Sequence, residues 1–337
     1  MVHLRIVAPA VCAHQVMELL CAWPSVLNVV HLPGAALKPE GDVILCDVAR
    51  EDASLIIADL KELDLPAIGS IAVGYIDTAI GEVYDAAERA APGLASDAVV
   101  WEDVAQHTSE NTELSVSFVA FMVLAMQLAA VGILIDQPIL IVGAMVVGPE
   151  FGPLAGISVA LVERQGGLAR RSLTALILGF PVGIALALVA TVIFKETGVA
   201  PGSFTPDDHP LTDFISHPDF FSFFVAYIAG TAGVLSLTSA KSGALIGVLI
   251  SVTTIPAASN VGVAAAYGDW SEASGAAAQL AINLAASVLA GVVTLVVQRR
   301  SYVARRHRHL SDPARTAAGL PLGHSRQAEK LGARPER

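Results

Sequence analysis

The chain has 337 residues, of which 54% are hydrophobic and 15% charged, and its mean hydropathy is +0.63. Soluble domains average about one quarter charged residues, so this composition argues against a soluble protein and predicts an integral membrane protein. Residues 1–113 hold 5 Lys and Arg against 18 Asp and Glu, whereas the tail from residue 299 holds 10 against 3. The acidic first third also argues against nucleic-acid binding, which needs a basic face.

The first 76 residues alternate short apolar runs with amphipathic helical patterns. The pattern predicts strands at 4–8, 26–32, 42–47 and 71–76, with helices at 13–23 and 53–63. The order βαββαβ is that of the ferredoxin-like, split βαβ arrangement, so we predict a small α+β domain of this type. With a further helix at 77–91, this N-terminal soluble domain covers residues 1–91.

The three cysteines, Cys12, Cys21 and Cys46, all lie in this N-terminal domain. An odd number without a CxxC spacing predicts neither a disulfide framework nor a zinc site. We therefore expect buried, reduced thiols. The opening apolar run is too short for a secretory signal.

Six apolar segments follow a polar linker at 92–113, in which Trp101 is expected to anchor at the membrane interface. The segments exceed the ~20 residues that a helix needs to cross a bilayer. They lie at 114–135, 138–162, 172–194, 220–240, 242–267 and 275–297. The remaining tail, 299–337, is basic and rich in Pro and Gly, which predicts a largely disordered segment. Its first part either contacts anionic lipid head groups or serves as a stop-transfer anchor.

Positive charge alternates between the predicted loops. Arg164, Arg170, Arg171, Lys241 and the basic tail fall on one side, and Lys195 stands alone among acidic residues on the other. By the positive-inside rule, both termini and the N-terminal domain are predicted to be cytoplasmic.

The second predicted span contains the sequence IVGAMVVGPEFGPLAG, residues 141–156. A helix facing lipid does not tolerate such a sequence, because proline removes a backbone donor and an intramembrane charge costs several kcal/mol. We predict a helix that is broken inside the protein or beside a cavity. The residues that indicate the break are Gly148, Pro149, Glu150, Gly152 and Pro153.

The fifth predicted span is also interrupted, by SVTTIPAASN around Pro256. Counted from Pro153 and from Pro256, the next predicted span starts 19 residues later in both halves. This echo predicts two three-helix halves of inverted topology. In secondary transporters, interrupted helices at corresponding positions of two halves mark a binding site near the bilayer midplane.

Three blocks of the membrane part resemble a known family. GILIDQPILIVGAMVVGPEFGPLAGISVAL, ARRSLTALILGFPVGI and SVTTIPAASNVGVAAAYGDW are similar to the bacterial membrane family called domain of unknown function 389, over about residues 114–297. The resemblance implies a multi-span fold in the bacterial inner membrane and no particular substrate or reaction. At the positions of Gly148 and Glu150, small and apolar residues are expected in many relatives. The resemblance therefore supports the family's fold for this chain more than it supports any particular ligand.

The predicted site centres on Glu150. A carboxylate among hydroxyls, amides and freed carbonyls suits Na⁺, H⁺ or a small polar solute. The alternative is that Glu150 caps a half-helix and that the amides hold helices together. The polar and helix-breaking residues expected near Glu150 are Gln127, Thr253, Thr254, Pro256, Ser259, Asn260 and Asn283, with Gln279 one turn before Asn283.

No enzyme, cofactor or metal signature is recognisable, so we expect no catalytic activity. The leading hypothesis is a transporter or channel-like membrane protein for a small solute or monovalent cation, gated by its cytoplasmic domain and assembled as a homo-oligomer in the lipid bilayer. The rival is a non-transporting sensor or scaffold whose N-terminal domain binds a metabolite or a protein.

Overall fold

The computed structural model describes residues 1–91, 93, 98–110, 112–204, 210–239, 253–311, 314–317 and 319–321. The chain forms two compact units. The first, here called the head unit, comprises Met1–Val104, Thr238–Ala240 and Gln298–Arg337. The second, the membrane unit, comprises Ala105–Leu237 and Lys241–Val297.

The head unit contains a four-stranded antiparallel sheet with the order β2-β3-β1-β4. The strands are β1 Val2–Ala8, β2 Val26–Leu37, β3 Glu40–Val48 and β4 Ser70–Tyr75. Helix α1, Ala10–Ala22, connects β1 to β2, and α2, Arg50–Glu62, with the short α3, Leu65–Ile68, connects β3 to β4. Each predicted strand and helix of this region is present, with boundaries shifted by a few residues.

Every second side chain of β1 contributes to the apolar core of the head unit. Val2, Leu4, Ile6 and Ala8 are fully buried, because successive side chains of a strand point to opposite faces of the sheet. They pack against apolar faces of α1 and α2. Burying each large aliphatic side chain contributes roughly 1.5–3 kcal/mol. The sheet and its two main helices therefore share one core.

The cysteines confirm the expectation of buried thiols at two positions and contradict it at the third. Cys12 and Cys46 are buried, and burial raises the pKa of both thiols, that of Cys46 to about 12. Such thiols are unreactive near neutral pH. Cys21 is exposed, because it lies outside the helix face of α1 that is buried against the sheet, whose residues are Cys12, Ala13, Val16, Leu19 and Leu20.

The stretch predicted as a polar linker contains a helix. Helix α4, Glu82–Ala90, precedes the stretch, and α5, Trp101–Glu110, lies within it. The backbone N–H of Trp101 donates to Ser54 Oγ at 3.0 Å, and its ring lies 6.1 Å from that of Tyr302, centroid to centroid. Trp101 is therefore packed inside the head unit, which contradicts its predicted role as an anchor at the membrane interface.

The described part of the basic tail contains ordered elements, whereas the predicted disorder concerned the tail as a whole. Helix α13, Ala314–Ala317, holds a fully buried Arg315, and Leu320 joins the apolar core of the head unit. Composition alone predicted disorder because it takes no account of buried carboxylates that can pair with the arginines. Residues 322–337 lie outside the described part of the chain.

Two of those carboxylates and their three basic partners form what we call the ionic cluster: Asp59, Glu62, Arg306, His309 and Arg315. Arg306 donates to Asp59 Oδ1 at 2.5 Å and to Glu62 Oε1 at 2.7 Å, and Arg315 pairs with both carboxylates as well. His309 Nε2 lies 2.6 Å from Asp59 Oδ2. Burial alone would raise the pKa of Asp59, but the hydrogen bond with His309 and the charges of Arg306 and Arg315 outweigh it and hold that pKa below its usual value.

The membrane unit is helical. Its helices are α6 Val116–Leu134, α7 Pro138–Val147, α8 Phe151–Glu163, α9 Gly166–Glu196, α10 Phe220–Thr238, α11 Thr254–Tyr267 and α12 Trp270–Leu310, with a 3-10 turn at Asp213–Ser216. The last residues of α10 and α12 belong to the head unit. Among the described residues, α6, α9, α10 and α12 are long and apolar enough to cross a membrane, and α7 with α8 forms a pair bent by 52°. The described residues therefore contain four such helices, or five if the bent pair is one span.

Two predicted spans differ from these helices. The fifth, 242–267, begins outside the described residues, and the structure describes its second part as α11. The sixth, 275–297, is part of the 41-residue helix α12, which continues into the tail. Arginine and alanine in that continuation are good helix formers, so the helix does not end where the apolar sequence does.

Candidate functional site

The second predicted span is interrupted at Gly148–Glu150, between α7 and α8. Pro149 has no backbone N–H and forces the preceding residue out of the helical region, and Gly148 is accordingly extended, with ψ 129°. The helix resumes at Phe151, and Pro153 is the third residue of α8, in the first turn where proline is tolerated. The break is therefore shorter than the Gly148–Pro153 stretch that indicated it, and Gly152 lies inside α8.

Glu150 occupies the N-cap position of α8 and is only 3% exposed. Its Oε1 accepts a hydrogen bond of 2.6 Å from the Thr254 hydroxyl, whereas its buried Oε2 has no partner among the described residues. A Cβ on Gly148 would collide with this Oε2 and would lie 2.7 Å from Cγ1 of Ile255. The glycine is thus required for the close approach of the carboxylate to the chain break.

No cationic side chain of the membrane unit is buried, as far as the structure describes those side chains. Arg164, Arg170, Arg171 and His217 are exposed, and Lys195 is half-buried with its Nζ 4.9 Å from the centre of the Tyr267 ring. Glu150 is consequently a buried carboxylate whose described neighbours supply a hydroxyl and no positive charge.

The start of α11 brings four further predicted residues together. Thr253 is its N-cap residue, and its Oγ1 accepts a hydrogen bond of 2.8 Å from Asn283 Nδ2. Asn283 Oδ1 in turn accepts from Gln279 Nε2 at 3.4 Å. Pro256 is buried as the third residue of α11. The predicted set of Glu150, Thr253, Thr254 and Asn283 therefore surrounds the N-terminus of α11.

Two predicted residues are placed differently. The Ser259 hydroxyl donates to the carbonyl of Met126 at 2.8 Å, so its polar group attaches α11 to α6. Gln127 is half-buried on α6 and has no hydrogen bond to any other candidate residue that the structure describes. Depth in the membrane, estimated from position along a span, was a poor guide here because it does not tell which way a side chain points.

The prediction missed Glu272. This residue is 8% exposed, and its Oε1 accepts from Asn260 Nδ2 at 2.9 Å and from the Ser216 hydroxyl. The sequence placed it in an acidic loop, but α12 begins at Trp270. Glu272 precedes Gln279 by seven residues and Asn283 by eleven, which puts all three on one helix face. That spacing is the signal that could have identified Glu272.

The carboxylate of Glu272 is not used to cap its own helix. Asp269 Oδ1 accepts from the backbone N–H of Glu272 at 3.0 Å, as in the first half of a capping box. In a full capping box Glu272 would bond back to the Asp269 N–H, but that group donates instead to the carbonyl of Ala264. The Glu272 side chain is thus free to bond to Asn260 on α11.

These contacts form one line along the antiparallel helices α11 and α12, with Asn283 beside Thr253 at one end and Glu272 beside Asn260 at the other. We call this line the polar seam; its members are Glu150, Thr253, Thr254, Asn260, Glu272, Gln279 and Asn283. Three of its buried oxygen atoms have no partner among the described residues: Glu150 Oε2, Asn260 Oδ1 and Gln279 Oε1. Native buried polar atoms are nearly always paired, so three such atoms in one line require an explanation.

The comparisons with known proteins cover this region. The family model described as "Domain of unknown function (DUF389)" matches residues 145–289, which confirms the predicted resemblance over that stretch. An uncharacterized protein of Methanocaldococcus jannaschii is 24% identical over 263 residues, covering 77% of this chain and 78% of that protein. No solved structure matches the chain. All members of the polar seam lie within the segment that the family model matches.

Proposed function

We propose that the protein is a multi-pass membrane transporter or channel-like protein for a small solute or ion, with its binding site in the polar seam. The observation that carries this proposal is Glu150, whose second carboxylate oxygen is buried at a helix break without a partner among the residues that the structure describes. A carboxylate at membrane depth costs several kcal/mol to bury, and such residues characteristically line substrate or ion pathways. A ligand that enters the seam would supply the missing partner.

The two interrupted regions support a further part of the proposal, an inverted repeat. Helices α8 and α11 have 13 and 14 residues, each with proline as its third residue. Each ends in a left-handed residue, Arg164 with φ 56° and Gly268 with φ 79°, and is followed at once by a long helix. Glu150 and Thr253 occupy the same N-cap position in the two copies. This equivalence supports six spans in two halves that meet at the polar seam.

For the head unit we propose a ferredoxin-like domain in the cytoplasm of a bacterial cell, where it gates the membrane unit. Its strand order β2-β3-β1-β4, with helices after β1 and β3, supports the fold, and the alternation of basic loops supports the location of both termini. Assembly as a homo-oligomer remains part of the proposal by analogy with domains of this shape.

Flux measurements on the full chain in liposomes test the proposed function. We expect accumulation or leak of at least one probe from a panel of Na⁺, K⁺, H⁺, chloride, a neutral sugar and an amino acid. Glu150→Gln should reduce the flux about tenfold or more while the protein stays folded, because it removes the charge without changing the shape. Glu196→Gln, a change of an exposed carboxylate in the same unit, is the matched control.

The rival function gives the opposite result. A folded wild-type protein that moves none of these probes, together with an unaltered thermal stability on adding each of them, would contradict transport. Binding of a metabolite or a protein to the head unit would then support the sensor or scaffold hypothesis instead.

A further inference from the structure

We propose that the polar seam binds a desolvated monovalent cation, of which Na⁺ is the probe, and that Glu272 is its second anionic group. This inference rests on the proposed function for its location and adds the chemical class of the ligand. It also adds a residue, Glu272. On α11, Thr254 contacts Glu150, and Asn260, six residues later, contacts Glu272.

The first argument is the kind of atom that has no partner in the described part of the chain. Glu150 Oε2, Asn260 Oδ1 and Gln279 Oε1 are all acceptors. The contact with a carboxylate fixes the orientation of the Asn260 amide, since its Nδ2 donates to Glu272. The Gln279 amide is oriented with its Nε2 donating to Asn283. An anion or a ligand rich in acceptors would repel these oxygens. A cation is stabilised by them, as the carbonyl and hydroxyl oxygens of interrupted helices stabilise Na⁺ in transporters.

The second argument is the balance of charge. The N-termini of α8, α11 and α12 each carry roughly half a positive charge, which offsets at most about one and a half of the two negative charges of Glu150 and Glu272. The described side chains of the membrane unit add no buried cation. The seam therefore keeps an excess of negative charge that one monovalent cation would neutralise.

The third argument separates monovalent from divalent cations. Ca²⁺ sites gather several carboxylates on one ion, and Mg²⁺ keeps much of its own water. Here the two carboxylates bond to residues six positions apart on α11, which corresponds to about 9 Å along the helix. Among the described residues no group of three His, Cys, Asp or Glu side chains could hold a metal. One carboxylate with neutral oxygens suits a singly charged ion.

A bare proton explains less of the geometry. Protonation of Glu150 would satisfy its Oε2 but would leave the amide oxygens of Asn260 and Gln279 without partners. A cation coordinated by oxygen can use all three positions as it moves along the seam. The geometry therefore favours Na⁺ over H⁺ as the species that is bound.

The test combines binding and flux on the full chain. Binding of ²²Na⁺ is measured on the purified protein in detergent, in competition with K⁺, Ca²⁺, choline and H⁺, and uptake is measured in liposomes. We expect Glu272→Gln to weaken Na⁺ binding about tenfold or more, because the seam loses one of its two negative charges. Gln279→Met, which keeps the length of the side chain and removes its oxygen, should also weaken binding, and it serves as the second test if Glu272→Gln does not fold. Glu196→Gln and Gln165→Met change exposed residues and should leave binding unaltered.

The outcomes distinguish this inference from the proposed function. Na⁺ binding that weakens in both seam variants supports the inference, and it does so even if no uptake occurs, in which case transport is the part that fails. Uptake of a neutral or anionic solute without Na⁺ binding overturns the inference and leaves transport standing. Tighter binding of Ca²⁺ than of Na⁺, or H⁺ flux without Na⁺ binding, overturns the inference as well. Absence of both binding and flux overturns both.

Discussion

Buried carboxylates occur in both units, but their surroundings differ. In the ionic cluster of the head unit, Asp59 and Glu62 bond to two arginines, and Asp59 also bonds to His309. In the polar seam of the membrane unit, Glu150 bonds to a threonine and Glu272 to an asparagine and a serine. The same kind of group is thus matched by opposite charge in one place and by neutral hydroxyls and amides in the other.

This difference in the partners of the buried carboxylates indicates different roles for the ionic cluster and the polar seam. A buried charge is most stable when it is paired within the chain, because an unpaired one costs several kcal/mol. The ionic cluster meets this requirement with residues from both ends of the chain. The seam does not meet it, although arginines stand nearby in sequence at 164, 170 and 171. A counter-ion that comes from outside the chain accounts for the seam, and none is needed for the cluster.

The largest expected effect is on the ionic cluster. Asp59→Asn removes one charge and leaves Arg306 and Arg315 buried without full compensation. Removing one partner from a buried ion pair costs about 3–5 kcal/mol, so we expect a loss of this size in the free energy of unfolding of the head unit. Chemical denaturation followed by tryptophan fluorescence measures it, since Trp23 lies 4.4 Å from His309, ring centroid to centroid. Glu40→Gln, at an exposed carboxylate of the same unit, is the control.

A loss below about 1 kcal/mol for Asp59→Asn would contradict the comparison, because exposed ion pairs contribute that little. The cluster would then behave as a surface feature.

The next effect concerns the chain break. In Gly148→Ala the new methyl group meets Glu150 Oε2 and Ile255, so we expect a loss of about 1–3 kcal/mol, as for other overpacked cores. Gly143→Ala, in the helical interior of α7, is the matched control, since no atom lies within 4 Å of the added Cβ. There alanine should be neutral or stabilise by up to about 1 kcal/mol. Melting temperatures in one detergent compare the two, and equal values would show that Gly148 is not packed against the carboxylate.

Acid should affect the buried carboxylates of the head unit in two stages. Burial raises the pKa of Asp52, so its charge costs stability at neutral pH and that cost is removed as the pH falls through the raised pKa. The pKa of Asp59 is lowered, so the stability that it contributes is complete above its usual pKa and is lost as the pH falls further, below about pH 4. We expect the stability of the head unit to rise slightly and then fall on acidification. Burial also raises the pKa of Glu51, so Asp52→Asn should reduce the rise and keep the fall. A fall that begins above pH 5 would contradict the assignment to Asp59.

Local chemistry made part of this architecture predictable. The period of two in β1 and the Gly148-Pro149 dipeptide act within a few residues, so the strand and the chain break could be predicted without knowledge of the fold. Pro256 lies in the first turn of α11, where proline is tolerated, and the chain just before Thr253 lies outside the described residues. The polar partners of Glu150 were predicted in part, because Thr253 and Thr254 belong to the SVTTIPAASN sequence that was expected to face it.

What could not be predicted depends on residues far apart in the chain. Arg315 is 256 positions from Asp59, and no local pattern reports that pairing, so the tail was predicted to be disordered. Glu272 was missed because its role depends on Asn260 across a helical hairpin and on Ser216, 56 positions away. The orientation of Gln127 likewise depends on how α6 packs.

The smallest expected change in stability is that of Glu150→Gln, and it is the sharpest test of the contrast between the two regions. The amide oxygen can still accept from the Thr254 hydroxyl, and a buried charge without a counter-ion is removed. Replacing such a charge by a neutral group is expected to change stability by less than about 1 kcal/mol, or to stabilise the protein, in contrast to Asp59→Asn. Thermal unfolding of the full chain without added Na⁺ measures the difference. A loss as large as that of Asp59→Asn would mean that Glu150 is a structural cap of α8, and the seam would then need no ion from outside.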